Sequence, residues 1–459
     1  GPGIEISVQK FESKLRNSDA ANLEHSFEAK ENWRAVSNAD WCTVTPSQGT
    51  AGTKKLYVKI EENLSTEERT AVVTVTTIAS VTVIATITVT QPGRDVVQTE
   101  DENPDAPEGM KKNAAWLVKQ IRVGWNLGNT CESDIWNNYD RDVDAEGETN
   151  WGNPKTTKAM FTALKDAGFN AIRIPCRWYL HADADMNIRQ AWFDRVKEIV
   201  DYAVSQDMYV ILNSHHDNWY DRLPVGYDEA AVLDRFDKMW TQIATALNAY
   251  DEHLILAGTN EVIKLKADGS EEWGNPNSSD LKMMNKLNQQ FVSTVRATGG
   301  NNAWRCLMVQ PWACSPSHAL NSAYALPEDN VEHRLIQEFH CYDPYQYAIG
   351  KDQKGNQWAQ HEYSQAELNA VSQTFQKMSQ KFVEAGTPVI MAEFGSTQDN
   401  SYSKGEAEAD RLRAEYHKFI VSEAKKFGIP GFYWDNGAFD VKPQKLDDSC
   451  ENFGLLDRR

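Results

Sequence analysis

The feature that most constrains the fold is a repeated alternation of short apolar segments and amphipathic helical segments after residue 111. Length and aliphatic character predict strands over 123–129, 171–178, 209–216, 254–262, 305–313, 335–342, 388–396 and 431–436. A period of 3.6 residues predicts helices over 157–167, 191–205, 229–249, 280–298, 365–385 and 406–426, with glycines near three of their C-termini. Eight β-then-α units of this size predict an α/β domain, a (β/α)8 TIM barrel.

A doubly wound open sheet is the alternative fold for such an alternation. That fold needs a glycine-rich phosphate loop after its first strand. The spacing Gly124-x-x-x-Gly128 matches neither a dinucleotide-binding loop nor a P-loop with its lysine. The barrel is therefore the preferred interpretation.

The first 95 residues have a different pattern, in which β-branched residues recur at a period of two. Segments 55–60, 70–76 and 80–90 are separated by turn-forming residues, which predicts a small all-β, Ig-like sandwich over residues 1–95. Residues 96–110 contain no Lys or Arg but several acids, namely Glu100, Asp101, Glu102, Asp105 and Glu108. Like charges keep such a stretch extended, so we expect a linker there and the barrel domain over residues 111–459.

The charge balance excludes some partners. The chain carries 47 Lys+Arg against 66 Asp+Glu, a net charge of −19, which is unsuited to neutralising phosphates, so we expect no nucleic-acid partner. No run of about 18 apolar residues is present, which predicts no transmembrane segment. The 7 cysteines form no C-x-x-C pair, a pattern that favours buried thiols over a disulfide scaffold or a structural zinc site.

Polar and ionisable residues follow the apolar part of nearly every predicted strand. They include Asn126, Asn129, Arg173, His215, His216, Asp217, Asn260, Glu261, His340, Tyr342, Asp343, Glu393, Trp434, Asp435 and Asn436. The C-terminal ends of barrel strands form the functional face of this fold. These residues together predict an active site.

Two carboxylates stand out within this set, Glu261 after the fourth strand and Glu393 at the seventh. These strands lie on opposite sides of the barrel mouth, so both side chains can project into one cleft. Such a pair suits glycoside hydrolysis, in which one carboxylic acid protonates the leaving oxygen and one carboxylate attacks or stabilises the anomeric carbon. A separation of about 5–5.5 Å indicates retention of configuration, and about 6.5–9.5 Å indicates inversion.

The N-terminal segments resemble a known module. Residues 41–49, 63–65, 68–75 and 86–93 run WCTVTPSQG, NLS, ERTAVVTV and TITVTQPG, and this combination is similar to a BACON-type module over about residues 4–93. Such modules commonly precede polysaccharide-degrading enzymes. Trp33 and Trp41 could form a sugar platform, but core packing or turn anchoring is the preferred interpretation, and we expect the module to act as a spacer.

The C-terminal segments carry a stronger resemblance. Residues 124–130, 151–154, 168–175, 213–217, 340–344, 393–395 and 434–437 run GWNLGNT, WGNP, GFNAIRIP, NSHHD, HCYDP, EFG and WDNG, and Asn260 precedes Glu261. Together they resemble glycoside hydrolase family 5, and most of all its subfamily 4 endo-glucanases. The resemblance implies that Glu261 is the acid/base and Glu393 the nucleophile of a retaining double displacement. It further implies that the subsite around the scissile bond is lined by Arg173, His215, Asn260, His340, Tyr342 and Trp434, with His216 close by.

The chemistry of these residues gives each a role. Glu393 must stay ionised to attack, and we expect Arg173 and the Tyr342 phenol to lower its pKa. Asn260 can hydrogen-bond the sugar 2-OH, and Trp434 can face the apolar side of a pyranose. Departures from the family pattern are small and concern strand-end conformation: Val262 after the acid/base, Ala392 before the nucleophile, and Glu338-Phe339 before His340.

The adjacent His215 and His216 also permit a metal site with Asp217 and His340. Neighbouring residues on a strand point to opposite faces, so only one histidine would face the barrel mouth unless the backbone bends. Recognition of sugar hydroxyls is therefore preferred, and we expect neither a metal nor a cofactor.

The remaining tryptophans suggest a long open cleft. In predicted strand-end or loop regions lie Trp136, Trp151, Trp219, Trp273, Trp312 and Trp358, and we include Trp312 among the substrate-binding residues. As a set they favour a polymeric substrate. The resemblance implies xyloglucan, mixed-linkage β-glucan and soluble cellulose as substrates; a mannanase, a xylanase and a non-catalytic glycan-binding protein are the alternatives.

The first residues, Gly1-Pro2-Gly3, resemble the scar of a cleaved tag. Any native export signal or lipid anchor would then have been removed with the original N-terminus. We expect a secreted or cell-surface protein, with a periplasmic location as a further option. We expect it to act as a monomer.

Overall fold

The computed structural model describes residues 7–94, 101–134, 145–349, 360–399, 401–437 and 452–458. The chain divides into two compact units, Gly1–Val97 and Gln98–Arg459. In the described residues no helix is both long enough and apolar enough to cross a membrane.

The first unit is made of β-strands. They are β1 Gln9–Lys14, β2 Ala21–Ala29, β3 Trp33–Ser37, β4 Cys42–Thr45, β5 Gln48–Gly49, β6 Gly52–Ile60, β7 Arg69–Thr77 and β8 Val83–Gln91. One sheet has the order β1-β8-β7-β3-β5 and the other β2-β6-β4. Alternate residues of the long strands β6, β7 and β8 are buried, such as Leu56, Val58 and Ile60 in β6, as the period of two requires. The prediction of an all-β unit is confirmed.

The two tryptophans of this unit have different environments. Trp33 is 1% exposed and packs edge-on against Phe27, with ring centroids 4.9 Å apart. A Cβ at Gly49 would lie 2.5 Å from the Trp33 ring. Glycine is therefore required at this position, because the backbone passes close to the indole. Trp41 is half-buried, with the Arg69 guanidinium 4.1 Å from its ring centroid. Trp33 is thus a core residue, and the cation covers one face of Trp41.

The second unit is built on a closed barrel of parallel strands. Its strands are β9 Gly124–Leu127, β10 Ala171–Ile174, β11 Tyr209–Asn213, β12 Arg222–Leu223, β13 Leu254–Ala257, β14 Ile263–Leu265, β15 Glu271–Glu272, β16 Leu307–Val309, β17 Leu335–Cys341, β18 Val389–Phe394 and β19 Gly431–Asp435. The barrel order is β10-β11-β13-β16-β17-β18-β19-β9, and β12, β14 and β15 form a separate small sheet. The predicted (β/α)8 barrel is confirmed.

Helices connect the barrel strands. They are α1 Ala114–Gln120, α2 Lys158–Asp166, α3 Gln190–Val204, α4 Asn218–Asp221, α5 Glu229–Leu247, α6 Ser278–Ala297, α7 Pro316–Ala319, α8 Tyr345–Ala348, α9 Gln365–Met378 and α10 Glu406–Lys426. Short 3-10 segments cover Ala145–Thr149, Tyr179–His181, Gly300–Ala303 and Trp312–Cys314, and a π turn, Ser379–Val383, continues α9. Asn277 and Ser364 form capping boxes with the third residue of α6 and α9, which fixes where these two helices begin.

The barrel interior follows the strand period of two. Its apolar filling includes Ala171, Ile211, Ile255, Met308, Ile336, Ile390 and Phe432, with Leu117 and Val118 of α1 in the same cluster. Successive side chains on a strand alternate between the interior and the helix layer, so the next inward position lies two residues further along. On β10, β17 and β19 that position holds Arg173, Glu338 and Trp434, and directly after the end of β16 it holds Gln310. The functional side chains therefore stand directly on the apolar filling of the barrel.

Residues 101–110 differ from the extended linker that the acidic composition predicts. The carbonyl of the fully buried Met110 accepts a hydrogen bond from the Arg334 guanidinium at 2.6 Å. The Glu252 amide donates to the Gly109 carbonyl at 2.8 Å. Asn103 also accepts from Arg334. The buried guanidinium needs several acceptors, and this segment supplies them, so within the described residues it folds as part of the second unit.

Candidate active site

Arg173 on β10 is the centre of a buried polar cluster. Its Nη1 donates to Asn126 Oδ1 at 3.0 Å and to Glu393 Oε1 at 2.7 Å, while Nη2 donates to Asn260 Oδ1 at 2.8 Å and to Glu338 Oε1 at 3.2 Å. The side chain is fully buried. Burial opposes the charge, but Glu338 and Glu393 outweigh it and raise the pKa of Arg173 above its ordinary value. One permanent cation thus orients two carboxylates and two amides.

Glu393 reaches this cluster through an irregularity in β18. Ile390 and Ala392 point into the barrel, so a regular strand would direct Glu393 toward the helices. The register between β18 and its neighbours shifts next to Glu393 on both sides, and such a bulge re-aims a side chain. Glu393 is 5% exposed and accepts from the Tyr342 hydroxyl at 2.8 Å.

The pKa of Glu393 is set by burial against three neighbouring groups. Burial raises the pKa of this carboxyl above its ordinary value of 4.5, and His340, Arg173 and the Tyr342 hydroxyl offset only part of that effect. The reason is that a carboxylate loses most of its hydration at this depth. Arg173 and Tyr342 thus act in the expected direction, but burial outweighs them.

Glu261 faces Glu393 from beyond the end of β13. Gln310 Oε1 accepts from the Thr259 amide at 3.0 Å, and Arg222 Nη1 donates to the Glu261 carbonyl at 2.9 Å, so the backbone is held on both sides of the residue. The Glu261 side chain is 22% exposed. One carboxylate oxygen of Glu261 lies within 4.8 Å of one of Glu393.

His340 lies between the carboxylates. Its Nδ1 is 2.7 Å from Glu261 Oε1 and 3.5 Å from Glu393 Oε2, and its Nε2 is 2.9 Å from Glu338 Oε1. Burial opposes a charge on the ring, but the carboxylates of Glu393 and Glu261 outweigh it and hold the pKa of His340 well above its ordinary value. A ring with carboxylates at both nitrogens can donate to both only as an imidazolium.

His215, His216 and Trp434 form the other side of the mouth. The His215 and Trp434 rings stack with centroids 5.9 Å apart and planes 8° apart, and Asn260 Nδ2 is 3.3 Å from His215 Nε2. His216 has a φ of 60° and its ring meets that of His215 edge-on at 4.4 Å. Because β11 ends at Asn213, the backbone is free to bend, and both histidines lie together. Strand alternation therefore does not separate them.

Both histidines are held neutral. Burial, with the neighbouring His216 and Arg173, places the pKa of His215 well below its ordinary value. Burial and Arg177 do the same to the pKa of His216. Each ring thus has one donor and one acceptor nitrogen, the combination that suits a sugar hydroxyl.

Trp434 is supported from below by a close backbone contact. A Cβ at Gly128 would lie 2.6 Å from the Asp435 carbonyl and 3.0 Å from the Trp434 ring. Asp435 Oδ2 accepts from Trp125 Nε1 at 2.9 Å, and Arg458 donates to the carbonyls of Gly128 at 3.0 Å and Asp435 at 2.7 Å. These contacts fix the strand end that carries the indole.

The other tryptophans differ in exposure. Trp312 is 1% exposed and packs in the hydrophobic core, so it offers no open ring face to a ligand and its assignment as a substrate-binding residue is corrected. Trp151 and Trp219 are half-buried, and Trp273 is 41% exposed. Trp136 and Trp358 lie outside the described residues.

Possible metal ligands also meet in this cluster. Cys314, Glu338 and His340 form one group of donor atoms within 4.8 Å of one another, and Glu261, His340 and Glu393 form a second. His340 already has a carboxylate at each ring nitrogen, and Arg173 already pairs with Glu338 and Glu393. The arrangement is therefore better suited to proton transfer between paired charges than to binding a cation.

Three of the clustered residues are absent from the sequence-based list of site residues: Glu338, Gln310 and Arg222. Gln310 Nε2 donates to Glu338 Oε2 at 2.7 Å. Glu338 precedes His340 by two positions on β17, so strand alternation alone could have placed both on the inner face. Nothing in the sequence indicates that Arg222 contacts the backbone of Glu261.

Comparisons with known proteins agree with this geometry. Residues 136–440 match the family model described as cellulase (glycosyl hydrolase family 5), and residues 3–92 match one described as viral BACON domain. Endoglucanase A of Clostridium longisporum is 36% identical over 353 residues, which are 76% of this chain and 63% of that protein. The match thus spans less than two thirds of that relative.

Other relatives match over more of their length. A xyloglucan-specific endo-beta-1,4-glucanase of Bacteroides ovatus is 33% identical over 453 residues, 95% of this chain and 87% of that protein. The structure of a Bacteroides ovatus GH5 xyloglucanase with a XXXG heptasaccharide is 28% identical, with a TM-score of 0.67, covering 98% of this chain and 94% of that one. A GH5-4 broad specificity endoglucanase from Ruminococcus champanellensis with bound cellotriose is 36% identical, with a TM-score of 0.67, covering 79% and 95%.

The facing glutamates, the barrel that carries them and these matches lead to one assignment: the chain belongs to glycosyl hydrolase family 5, is similar to its subfamily 4, and carries a BACON-type unit at its N-terminal side.

Proposed function

We propose that this protein is an endo-acting β-1,4-glucanase that hydrolyses β-glucans with retention of configuration. The observation that carries the proposal is the approach of Glu261 and Glu393, with carboxylate oxygens within 4.8 Å of each other. Retaining glycosidases have their carboxyl groups about 5–5.5 Å apart, whereas inverting enzymes leave about 6.5–9.5 Å for a water molecule. The short separation supports direct attack by one carboxylate.

In the first step, Glu393 attacks the anomeric carbon and Glu261 protonates the glycosidic oxygen. The C–O bond to the leaving sugar breaks with its electron pair on that oxygen, and a glycosyl ester forms at Glu393. Tyr342 and Arg173 hold the two Glu393 oxygens, which orients the attacking lone pair. His340 donates to Glu261 and orients its carboxyl.

In the second step, Glu261 acts as a base. It takes a proton from water, the oxygen of that water attacks the anomeric carbon, and the bond to Glu393 breaks with its electrons returning to the carboxylate. The two inversions give net retention. Glu261 suits the exchange with solvent because, at 22% exposure, it is the more accessible of the two carboxyls.

The sugar at the scissile bond contacts the neighbouring side chains. Asn260, positioned by Arg173, can hydrogen-bond the 2-OH, a contact that strengthens in the transition state. Trp434 presents an apolar face to the pyranose ring, and the neutral His215 and His216 can exchange hydrogen bonds with hydroxyls. These assignments follow from position and from chemistry.

A polymeric substrate is supported by an exposed aromatic on the acid/base side. Trp273 is 41% exposed, its indole donates to Glu271 at 2.9 Å, and Arg222 lies 5.1 Å from its ring centroid. Arg222 also donates to the Glu261 carbonyl, so this ring is linked to the residue that protonates the leaving sugar. A flat, fixed ring there can stack on the leaving part of a chain.

The candidate substrates are xyloglucan, mixed-linkage β-glucan and soluble cellulose, in line with relatives named as a xyloglucan-specific endoglucanase, broad specificity endoglucanases and a lichenase. Mannan and xylan are the second choices. We further propose that the protein acts outside the cell or at its surface as a monomer, and that the unit over residues 1–95 serves as a spacer.

The proposal is tested by the release of reducing ends from a panel of xyloglucan, mixed-linkage glucan, carboxymethylcellulose, glucomannan and xylan. Glu393→Ala should abolish release, whereas Glu229→Ala, which removes an exposed partner of Lys286, should leave it unchanged. Glu261→Ala should retain cleavage of an aryl glycoside whose leaving group needs no proton. Negligible release by the unaltered protein and by Glu393→Ala alike would favour a non-catalytic glycan-binding protein, and NMR detection of the α-anomer as first product would refute retention.

A further inference from the structure

Glu338 is a third carboxylate in the active-site cluster that the double displacement does not use. It is fully buried and makes three side-chain contacts, to Arg173 Nη2 at 3.2 Å, to His340 Nε2 at 2.9 Å and to Gln310 Nε2 at 2.7 Å. Neither Glu261 nor Glu393 touches it directly. A buried carboxylate is costly unless it is paired, so its presence beneath two catalytic groups calls for a function.

The groups facing Glu338 come from several elements of the barrel. They are Arg173 on β10, Cys314 in the 3-10 segment after β16, Tyr324 between α7 and β17, and His340 on β17, with Glu261 and Glu393 on the far side of His340. Burial raises the pKa of Cys314 to about 12 and raises that of Tyr324 further, so both stay neutral. Burial also opposes ionisation of Glu338, but Arg173 and His340 outweigh it and lower its pKa.

The charges that remain balance in one protonation state. The cluster holds two cations, Arg173 and His340, and three carboxyl groups. With Glu338 and Glu393 ionised, it is neutral when Glu261 carries a proton, the state that the first chemical step requires. Without the charge of Glu338, the same state would carry a net positive charge, which disfavours the binding of protons by the cluster as a whole.

The position of His340 depends on the same carboxylate. Glu338 and His340 are inward-facing residues two apart on β17, and the contact at Nε2 fixes the rotation of the ring so that Nδ1 meets Glu261 at 2.7 Å. Gln310 and Arg173 in turn hold the Glu338 carboxylate. This chain of contacts connects the rigid barrel interior to the partly exposed acid/base.

We propose that Glu338 is a positioning residue of this active site: it holds His340 against Glu261 and supplies the negative charge that balances the two buried cations, Arg173 and His340. The inference rests on the proposed function, because it assigns Glu338 a part in positioning that acid/base.

The test is the pH dependence of kcat/KM on a soluble β-glucan for the unaltered protein and for Glu338→Gln, which keeps the size of the side chain and removes its charge. Interacting groups titrate together, so removing one buried anion weakens the binding of protons to the whole cluster. Both limbs of the profile should therefore move to lower pH, by about one pH unit. Glu338→Asp, which keeps the charge but shortens the reach to His340, should leave the limbs near their original positions and lower kcat.

Glu148→Gln is the matched control. Glu148 is also fully buried and paired with an arginine, Arg195, at 2.7 Å, but it makes no contact with the cluster. Its profile should keep the original limbs. A Glu338→Gln profile with lower activity and unshifted limbs would overturn the proposal and leave Glu338 a structural residue.

A second measurement reads the protonation of His340 in the unaltered protein. The ring nitrogens of His340 in the unaltered protein, observed by 15N NMR and assigned by the loss of their signals in His340→Asn, should both be protonated at pH 7. A neutral ring there would contradict the charge balance. If the unaltered protein releases no reducing ends while its His340 is doubly protonated, the proposed function fails and the pairing of His340 with Glu338 stands.

Discussion

Replacing Tyr342 with phenylalanine isolates the contribution of one hydrogen bond to the ionisation of Glu393. The phenol donates to Glu393 Oε2 at 2.8 Å, and its ring packs edge-on against Phe453 at 5.9 Å. Phenylalanine keeps that packing and deletes only the donor. Because a hydrogen bond to a carboxylate favours its ionised form, its loss must raise the pKa of Glu393.

The size of this effect follows from the geometry. A hydrogen bond to a charged group contributes about 1.5–3 kcal/mol, and about 1.36 kcal/mol corresponds to one pKa unit. Tyr342 is half-buried, so water can replace part of the lost donor, and the lower end of this range applies. The pKa of Glu393, already raised by burial, should rise by about one further unit.

The assay is kcat/KM measured across the acidic range on a soluble glucan. Glu393 must be ionised to attack, so activity falls as the pH drops through its pKa, and in Tyr342→Phe the fall should begin about one pH unit higher. At pH values above this acidic limb, Tyr342→Phe should lose less than about tenfold in kcat/KM. The reason is that Glu393 without the phenol hydrogen bond is a more basic carboxylate and hence a stronger nucleophile. Tyr250→Phe is the control, because the Tyr250 hydroxyl donates at 2.6 Å to Asp201, a carboxylate outside the cluster. An acidic limb that does not move in Tyr342→Phe would refute this account of Glu393.

Three further predictions concern other parts of the second unit. Gly128→Ala should raise KM and lower kcat/KM by about tenfold in steady-state assays, because its Cβ would meet the Asp435 carbonyl at 2.6 Å and displace Trp434. Trp273→Ala should raise KM for a polymeric glucan about three- to tenfold and leave turnover of a short aryl glycoside unchanged. In His253→Asn, urea denaturation should show a loss of stability of about 1 kcal/mol at pH 6, and this loss should disappear above about pH 9. The reason is that the hydrogen bond to Asp251 outweighs the effect of burial and raises the pKa of His253 to about 9. The protonated ring therefore stabilises the fold only below that pH.

Each of these predictions has a contrary outcome. A Gly128→Ala enzyme with unchanged KM would show that Trp434 tolerates the contact. Equal losses on polymer and aryl glycoside in Trp273→Ala would place the ring away from the leaving chain. A loss of stability in His253→Asn that grows as the pH rises would contradict the prediction for His253, because the charged ring must stabilise the fold more at low pH than at high pH.

The sequence predicts the barrel well because its strand signals are local. Aliphatic runs and 3.6-residue periods mark the elements, and the polar ends identify the functional face. The exact ends of the strands are less predictable. The predicted strand over 209–216 ends at Asn213 in the structure, because composition does not show where the interstrand hydrogen bonds stop. His215 and His216 therefore lie together on a bent backbone and do not alternate.

The features that the sequence does not predict depend on distant partners. The bulge that turns Glu393 inward is set by the register of three neighbouring strands, and the packing of residues 101–110 depends on the buried Arg334 more than 200 positions later. The sequence predicts Trp312 as a substrate-binding residue because it follows a strand, but its side chain packs in the hydrophobic core. Whether a loop tryptophan faces solvent or core depends on contacts that no local pattern records.

The pairing of β19 with β9 has a consequence for the synthesis of this chain. Trp125 and Asp435, bonded across that seam, are 310 positions apart, so the first barrel strand leaves the ribosome long before its second neighbour exists. Until β19 arrives, β9 and β18 each present an open edge of unpaired amides and carbonyls, the kind of surface that recruits foreign strands. A nascent chain that ends before residue 431 therefore carries two such edges, and each stays open to pairing with another chain until β19 closes the barrel.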